Sequence, residues 1–138
     1  SVIKNKSIIL IDDSLVRGTT SHKIVKMLYD AGAKEVHVRI ACPEILFPDF
    51  YGIDMPTKKE LLASGKTNQE MCDYINAKTL KFLSLAGLYK ALGFKERNKL
   101  SPQLSDHYFT GEYPIKPTDL LGEEKITQLS LLSSKSNN

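Results

Sequence analysis

Ile8-Ile9-Leu10-Ile11-Asp12-Asp13-Ser14-Leu15-Val16-Arg17-Gly18-Thr19-Thr20 is the stretch on which the fold turns. Residues Ser7 to Ile11 form a β-branched, aliphatic run that stops at two acids, the pattern of a buried parallel strand. A short loop with one glycine follows. Beyond it, Ile24, Val25, Leu28 and Ala31 recur at helical spacing and share one face, and Gly32 is a natural stop for that helix. Val36, Val38 and Ile40 then alternate with His37 and Arg39, which is the period of a strand. Strand, helix and strand in so short a space make a βαβ unit, with parallel strands and a right-handed crossover. The expected class is α/β with a parallel sheet.

The same stretch carries chemistry. The strand leaves Asp12 and Asp13 at its C-terminal edge, where open α/β sheets bind ligands. The loop then enters a helix N-terminus, whose unpaired N–H groups and dipole favour an anion. Gly18 permits a positive φ or a close backbone approach, and Ser14, Thr19 and Thr20 add hydroxyl donors. Carboxylates accept hydrogen bonds from vicinal sugar hydroxyls and can stand beside a hydrated Mg²⁺. A phosphate cradle beside paired acids describes a ribose 5-phosphate lying along the loop. The absence of a closing Gly-Lys-Ser/Thr excludes a Walker A loop, and a single glycine excludes a dinucleotide fingerprint. Taken alone, Asp-Asp-Ser ahead of a helix is more often an N-cap. Arg17 reads either as a solvated loop charge or as a phosphate contact.

The remainder bounds the function. The 138 residues are 41% hydrophobic and 25% charged, which suits one globular domain. A net charge of +3 from scattered Lys and Arg does not suggest nucleic-acid binding. No aliphatic run is long enough for a membrane span or a signal peptide, so a cytoplasmic setting is expected. Cys42 and Cys72 read as buried thiols without metal spacing, and His22, His37 and His107 as isolated polar residues. Residues 43–56 read as a loop with an aromatic packing cluster of Phe47, Phe50 and Tyr51. Lys58, Lys59 and Lys66 read as a solvated face. Capping boxes at Thr57/Glu60 and Thr67/Glu70 start two short helices. A short strand is expected at Leu80 to Leu83, and a helix from Ser84 to Leu92. Past Lys95 the period fades. A short amphipathic helix is possible at 123–132, and 133–138 is polar and expected to be disordered.

The stretch Asp12 to Ser21, with Phe50-Tyr51-Gly52-Ile53-Asp54-Met55-Pro56-Thr57 and Phe109-Thr110-Gly111-Glu112-Tyr113-Pro114, resembles the amidophosphoribosyltransferase family. The resemblance runs from residue 7 to about 114 and matches the C-terminal part of that family's type I phosphoribosyltransferase domain. It implies a parallel-sheet type I phosphoribosyltransferase-like fold, truncated at its N-terminal side, with an irregular C-terminal tail. Residues 1–95 would be the partial transferase domain, 96–132 a C-terminal extension and 133–138 the tail. It implies a glycosyltransferase of purine synthesis that moves ammonia from glutamine to phosphoribosyl pyrophosphate (PRPP). In it, Asp12 and Asp13 meet the ribose hydroxyls and Mg²⁺, while Ser14, Val16, Arg17, Gly18, Thr19 and Thr20 hold the 5-phosphate. No catalytic residue is assigned, and no glutaminase region is matched. Activity of this stretch alone stays open, with a non-catalytic ribose 5-phosphate or nucleotide binding module, or an inactive gene remnant, as alternatives. The expected partners are PRPP or a purine nucleotide, and a chain supplying upstream segments or a second copy.

One branch of the family holds an iron–sulfur cluster through cysteines. The matching positions here are Asp49, Ser105 and Tyr108, none of them a thiolate, so no cluster is expected. Cys42 is expected in the core. Without the upstream strands, the Ile8–Ile11 strand should expose one sheet edge and bare apolar surface.

Overall fold

The alternation in β2 (Glu35–Ile40) decides which face of the sheet is buried. Val36 and Val38 are fully buried and Ile40 nearly so, while Glu35, His37 and Arg39 lie on the other face. The computed structural model describes residues 2–52 and 57–115. β2 is the centre of a three-stranded parallel sheet between β1 (Ser7–Asp12) and β3 (Thr79–Phe82). The register sets Leu10 beside Val38 and Val38 beside Leu80. The period of two therefore puts these three side chains on one face.

That face is covered by α1 (Thr19–Asp30) and α2 (Asn68–Tyr74). Val25, Met71, Cys72 and Ile75 pack on it with Leu15, Leu62 and Ala63 to make the core. Both crossovers step the same way along the sheet, from β1 to β2 and from β2 to β3. Right-handed connections then place both helices on the same side. The opposite face has no such cover among the described residues. Ile9 and Ile11 remain 65% and 73% exposed, and β1 pairs only with β2 among the described strands.

The Ile8–Ile11 run is thus aliphatic throughout but only partly buried, and on one face alone, which corrects the reading of a fully buried strand and agrees with the expected bare surface. On that open face the polar residues bind one another. His37 Nδ1 lies 2.9 Å from Thr79 Oγ1, and Arg39 donates to the same hydroxyl at 3.0 Å.

Two smaller expectations also shift. In α1 the buried stripe is Ser21 and Val25, flanked by Leu28. Ala31 is exposed at the C-cap rather than on that stripe. The Thr57/Glu60 capping box starts a single 3₁₀ turn, Lys58–Glu60. The Thr67/Glu70 box starts α2, and Ser84 accepts from Gly87 N–H to start α3 (Leu85–Ala91), both as expected.

The segment after α3 is irregular, as expected, yet held. Tyr89, fully buried on α3, donates its hydroxyl to Asp106 at 2.8 Å. Arg97 donates to both oxygens of Asp106, at 2.5 and 3.1 Å, and to Glu112 at 2.7 Å. Burial works against the Asp106 carboxylate, but hydrogen bonds from Arg97 and Tyr89 outweigh it and hold the group below its usual range. Its neighbour begins the short α4 (His107–Thr110). The possible helix at 123–132, the tail 133–138 and Asp54 lie outside the described residues.

Candidate functional site

The loop from β1 to α1 is built from its base outward. Leu15 is 2% exposed and anchors the loop in the core, leaving Ser14 and Val16 to flank it at the surface. Asp12 closes β1. Its Oδ1 accepts from Asp13 N–H at 3.0 Å, and Asp13 Oδ1 accepts from the Ser14 hydroxyl at 3.1 Å. Each carboxylate keeps an oxygen free of these contacts. Gly18 is the N-cap of α1 at φ 76°, and the first helical bond runs from His22 N–H to Gly18 O at 2.9 Å. The N–H groups of Thr19, Thr20 and Ser21 therefore have no acceptor within the helix. No acidic residue sits in the first turn of α1 to compete with an anion. Residues 12–21 line one continuous hollow of about 300 Å³. Larger hollows lie along residues 80–85, along residues 99–107, and beside Asp49 and His107. None of these joins paired acids to the start of a long helix.

The structure thus brings Asp12, Asp13, Ser14, Val16, Arg17, Gly18, Thr19 and Thr20 around one hollow. It also identifies neighbours that sequence reasoning passed over. Leu62 N–H donates to Val16 O at 2.8 Å. A Cβ at Gly18 would lie 2.6 Å from Leu62 Cδ2 and 3.0 Å from Tyr74 Cε1. The Tyr74 backbone is tied to α1 as well, its carbonyl lying 2.9 Å from His22 Nδ1. Arg17 donates to Glu60 Oε1 at 3.2 Å, a contact between two half-exposed side chains at the rim of the hollow. These partners are 43 to 56 positions from the loop, and no local signal announces them.

The other two marker stretches meet each other. Asp49 and His107, 1% and 3% exposed at the side chain, approach at 2.5 Å between Oδ1 and Nε2. Asp49 Oδ2 accepts from Tyr51 N–H at 3.0 Å. Tyr51, Tyr108 and Tyr113 ring the imidazole at centroid distances of 5.1, 4.7 and 5.2 Å. Tyr113 donates to Pro48 O, and the amides of Leu46 and Phe47 donate to Tyr108 O. His107 is therefore a buried, paired residue and not the isolated polar one expected. Its partner lies 58 positions away, beyond any local pattern.

The residues matched to cluster ligands do not fit an iron–sulfur group. Asp49 is committed to His107 and Tyr51, and Tyr108 is a packed ring whose hydroxyl pKa is raised by burial, with Asp49 adding to the rise. Cys42, half-buried and packed against the core, donates its thiol to Pro43 O at 3.2 Å. Burial pushes that thiol up, and the Asp13 carboxylate adds to the rise. A raised thiol is a poor metal ligand.

No protein-family model matches the chain. The amidophosphoribosyltransferase of Rhizobium etli is 53% identical over 135 residues, covering 97% of this chain and 27% of that protein. That of Methanocaldococcus jannaschii is 49% identical, over 90% of this chain and 25% of that protein. Among solved structures, the glutamine PRPP amidotransferase of Bacillus subtilis, complexed with ADP and GMP, superposes with a TM-score of 0.74. It is 48% identical over 82% of this chain and 25% of its own. The chain spans about a quarter of the length of these relatives. At this identity along nearly its whole length, the chain is a homologue of the amidophosphoribosyltransferases, and a C-terminal fragment of their type I phosphoribosyltransferase domain fits the match.

Proposed function

We propose that the hollow of residues 12–21 binds the ribose 5-phosphate portion of PRPP. The observation that carries this is the joining of two carboxylates to the bare N–H groups of a 12-residue helix within one hollow. The 5-phosphate sits against the amides of Gly18, Thr19, Thr20 and Ser21, with the Thr19 and Thr20 hydroxyls beside them. Backbone donors and the α1 dipole balance its charge. Asp12 and Asp13 accept from the ribose hydroxyls through the oxygens left free of Asp13 N–H and Ser14. Val16 and Ser14 shape the loop.

The same pair of acids fits Mg²⁺ held partly by water and by substrate oxygens. No group of three His, Cys, Asp or Glu side chains forms a protein cage among the described residues. Bound there, the ion would offset charge on the pyrophosphate leaving group. The two carboxylates would stabilise positive charge growing at the anomeric carbon and so favour displacement of the pyrophosphate electrostatically. With the remaining length of its relatives, the proposed reaction is transfer of ammonia from glutamine to PRPP, giving 5-phosphoribosylamine in purine synthesis. The setting proposed for it is the cytoplasm. Among the described residues no helix is long and apolar enough to cross a membrane. A purine nucleotide carries the same ribose 5-phosphate, and the similar Bacillus subtilis enzyme was solved with ADP and GMP. The loop therefore suits such a nucleotide as an alternative occupant.

Thermal unfolding with and without Mg²⁺ and PRPP tests this. At 100 times its dissociation constant, PRPP is expected to add about 2.7 kcal/mol to stability. An Asp12→Asn/Asp13→Asn double variant should unfold like the parent without ligand and lose most of the ligand-induced rise. A parent transition indifferent to PRPP would sink the reading.

A further inference from the structure

Resting on that reading of residues 12–21, we infer that Glu60 is a positioning residue for the phosphate loop, acting through Arg17, and that the Arg17 side chain is a strut and not a phosphate ligand.

Glu60 divides its two oxygens. Oε2 accepts from Thr57 N–H at 3.2 Å and from the Thr57 hydroxyl at 3.0 Å, which closes the capping box. Oε1 is left for Arg17 Nη2 at 3.2 Å. The hydrogen bonds from Thr57, with Arg17 adding to them, lower the Glu60 pKa. The carboxylate is thus pinned before Arg17 reaches it, and a pinned acceptor costs the arginine less freedom than a mobile one. Two further contacts tie the same pair of segments together. Leu62 N–H donates to Val16 O at 2.8 Å, and the Leu62 side chain stands against Gly18. The 60–62 strand of chain therefore grips the loop at three successive residues, Val16, Arg17 and Gly18. With Gly18 begin the amides that face the proposed phosphate. Arg17, engaged sideways by Glu60, has its charge balanced there and leaves the cradle to backbone donors.

The two roles for Arg17 predict opposite signs. If Glu60 positions the loop, Glu60→Gln and Arg17→Ala each weaken binding of ribose 5-phosphate by a similar factor, about two- to fivefold for a half-exposed pair. The double variant is then no worse than either single one. If Arg17 is a ligand, Arg17→Ala weakens binding far more, and Glu60→Gln tightens it by releasing the guanidinium. That pattern overturns the inference.

Amide hydrogen exchange at Val16 to Thr19, measured without any ligand, gives the second readout. Both single variants should speed exchange there by a similar factor and leave the melting temperature within about 2 °C of the parent, as expected for a surface pair. Unchanged exchange in Glu60→Gln overturns the strut. A parent that binds no ribose 5-phosphate, yet shows faster loop exchange in both variants, supports the strut and defeats the site reading instead.

Discussion

Replacing His107 by alanine is expected to lower the melting temperature by on the order of 10 °C, from a loss of about 3–5 kcal/mol. The side chains of His107 and Asp49 are 3% and 1% exposed, so solvent does little to screen their interaction. Truncation leaves the Asp49 carboxylate facing a cavity among tyrosine rings, with the Tyr51 amide still donating to it. Asp49→Asn is the control. It keeps a hydrogen-bonding group against the imidazole and should cost less, about 1–2 kcal/mol. Proteolysis localises the effect. Cleavage within 96–115 should accelerate in His107→Ala, because α4 and Tyr113 dock on residues 46–51 through this pair. A fall of under about 3 °C with unchanged cleavage would show that packing alone holds the segment. The location gives the result wider meaning. Where the resemblance places cysteine ligands of a cluster, this chain joins the same two stretches by a buried acid–imidazole contact.

The second large effect concerns Gly18. A φ of 76° is strained for any residue with a Cβ, by about 1–2 kcal/mol. At Gly18 the new Cβ would also meet Leu62 Cδ2 at 2.6 Å and Tyr74 Cε1 at 3.0 Å. Leu62 is committed to the core, whereas Tyr74 is 44% exposed and its ring can give way, so Leu62 sets the larger part of the cost. Gly18→Ala should therefore lose more stability than Gly65→Ala, which has φ 90° and nothing within 4 Å of its Cβ. The difference between the two isolates the steric term from the backbone strain. The Gly18 variant should also bind ribose 5-phosphate at least tenfold more weakly, equivalent to about 1.4 kcal/mol, because the amides of Thr19 and Thr20 shift with the cap. Gly65→Ala should bind like the parent. Equal binding by Gly18→Ala and the parent would move the phosphate away from this helix start.

These two sites differ in how legible they are. The loop of residues 12–21 is contiguous, so strand end, acids, glycine and helix start can be read in order. The structure brings them around one hollow because a βαβ unit joins them locally. The strands, their parallel pairing, the capping residues Thr67 and Ser84 and the irregular segment after Lys95 were legible for the same reason: each depends on a period or a residue type within a few positions.

The burial of Ile8 to Ile11 was not legible in full. A uniform aliphatic run shows that a strand can be covered on both faces, whereas the direction of successive crossovers determines whether it is. Here α1 and α2 lie on the same side, and Ile9 and Ile11 stay open. Glu60 reads in sequence as half of a capping box, and so it is, but only folding supplies Arg17 for its second oxygen.

Sequence by itself determined the α/β class, the contiguous loop of residues 12–21 and the likeness to the amidophosphoribosyltransferases, because short-range periodicity and a contiguous motif carry them. Tertiary structure alone decided what holds that loop and the C-terminal segment in place. Arg17 with Glu60, Gly18 with Leu62 and Asp49 with His107 are separated by 43 to 58 positions. Each pairing follows from how distant segments pack in three dimensions, which no local pattern encodes.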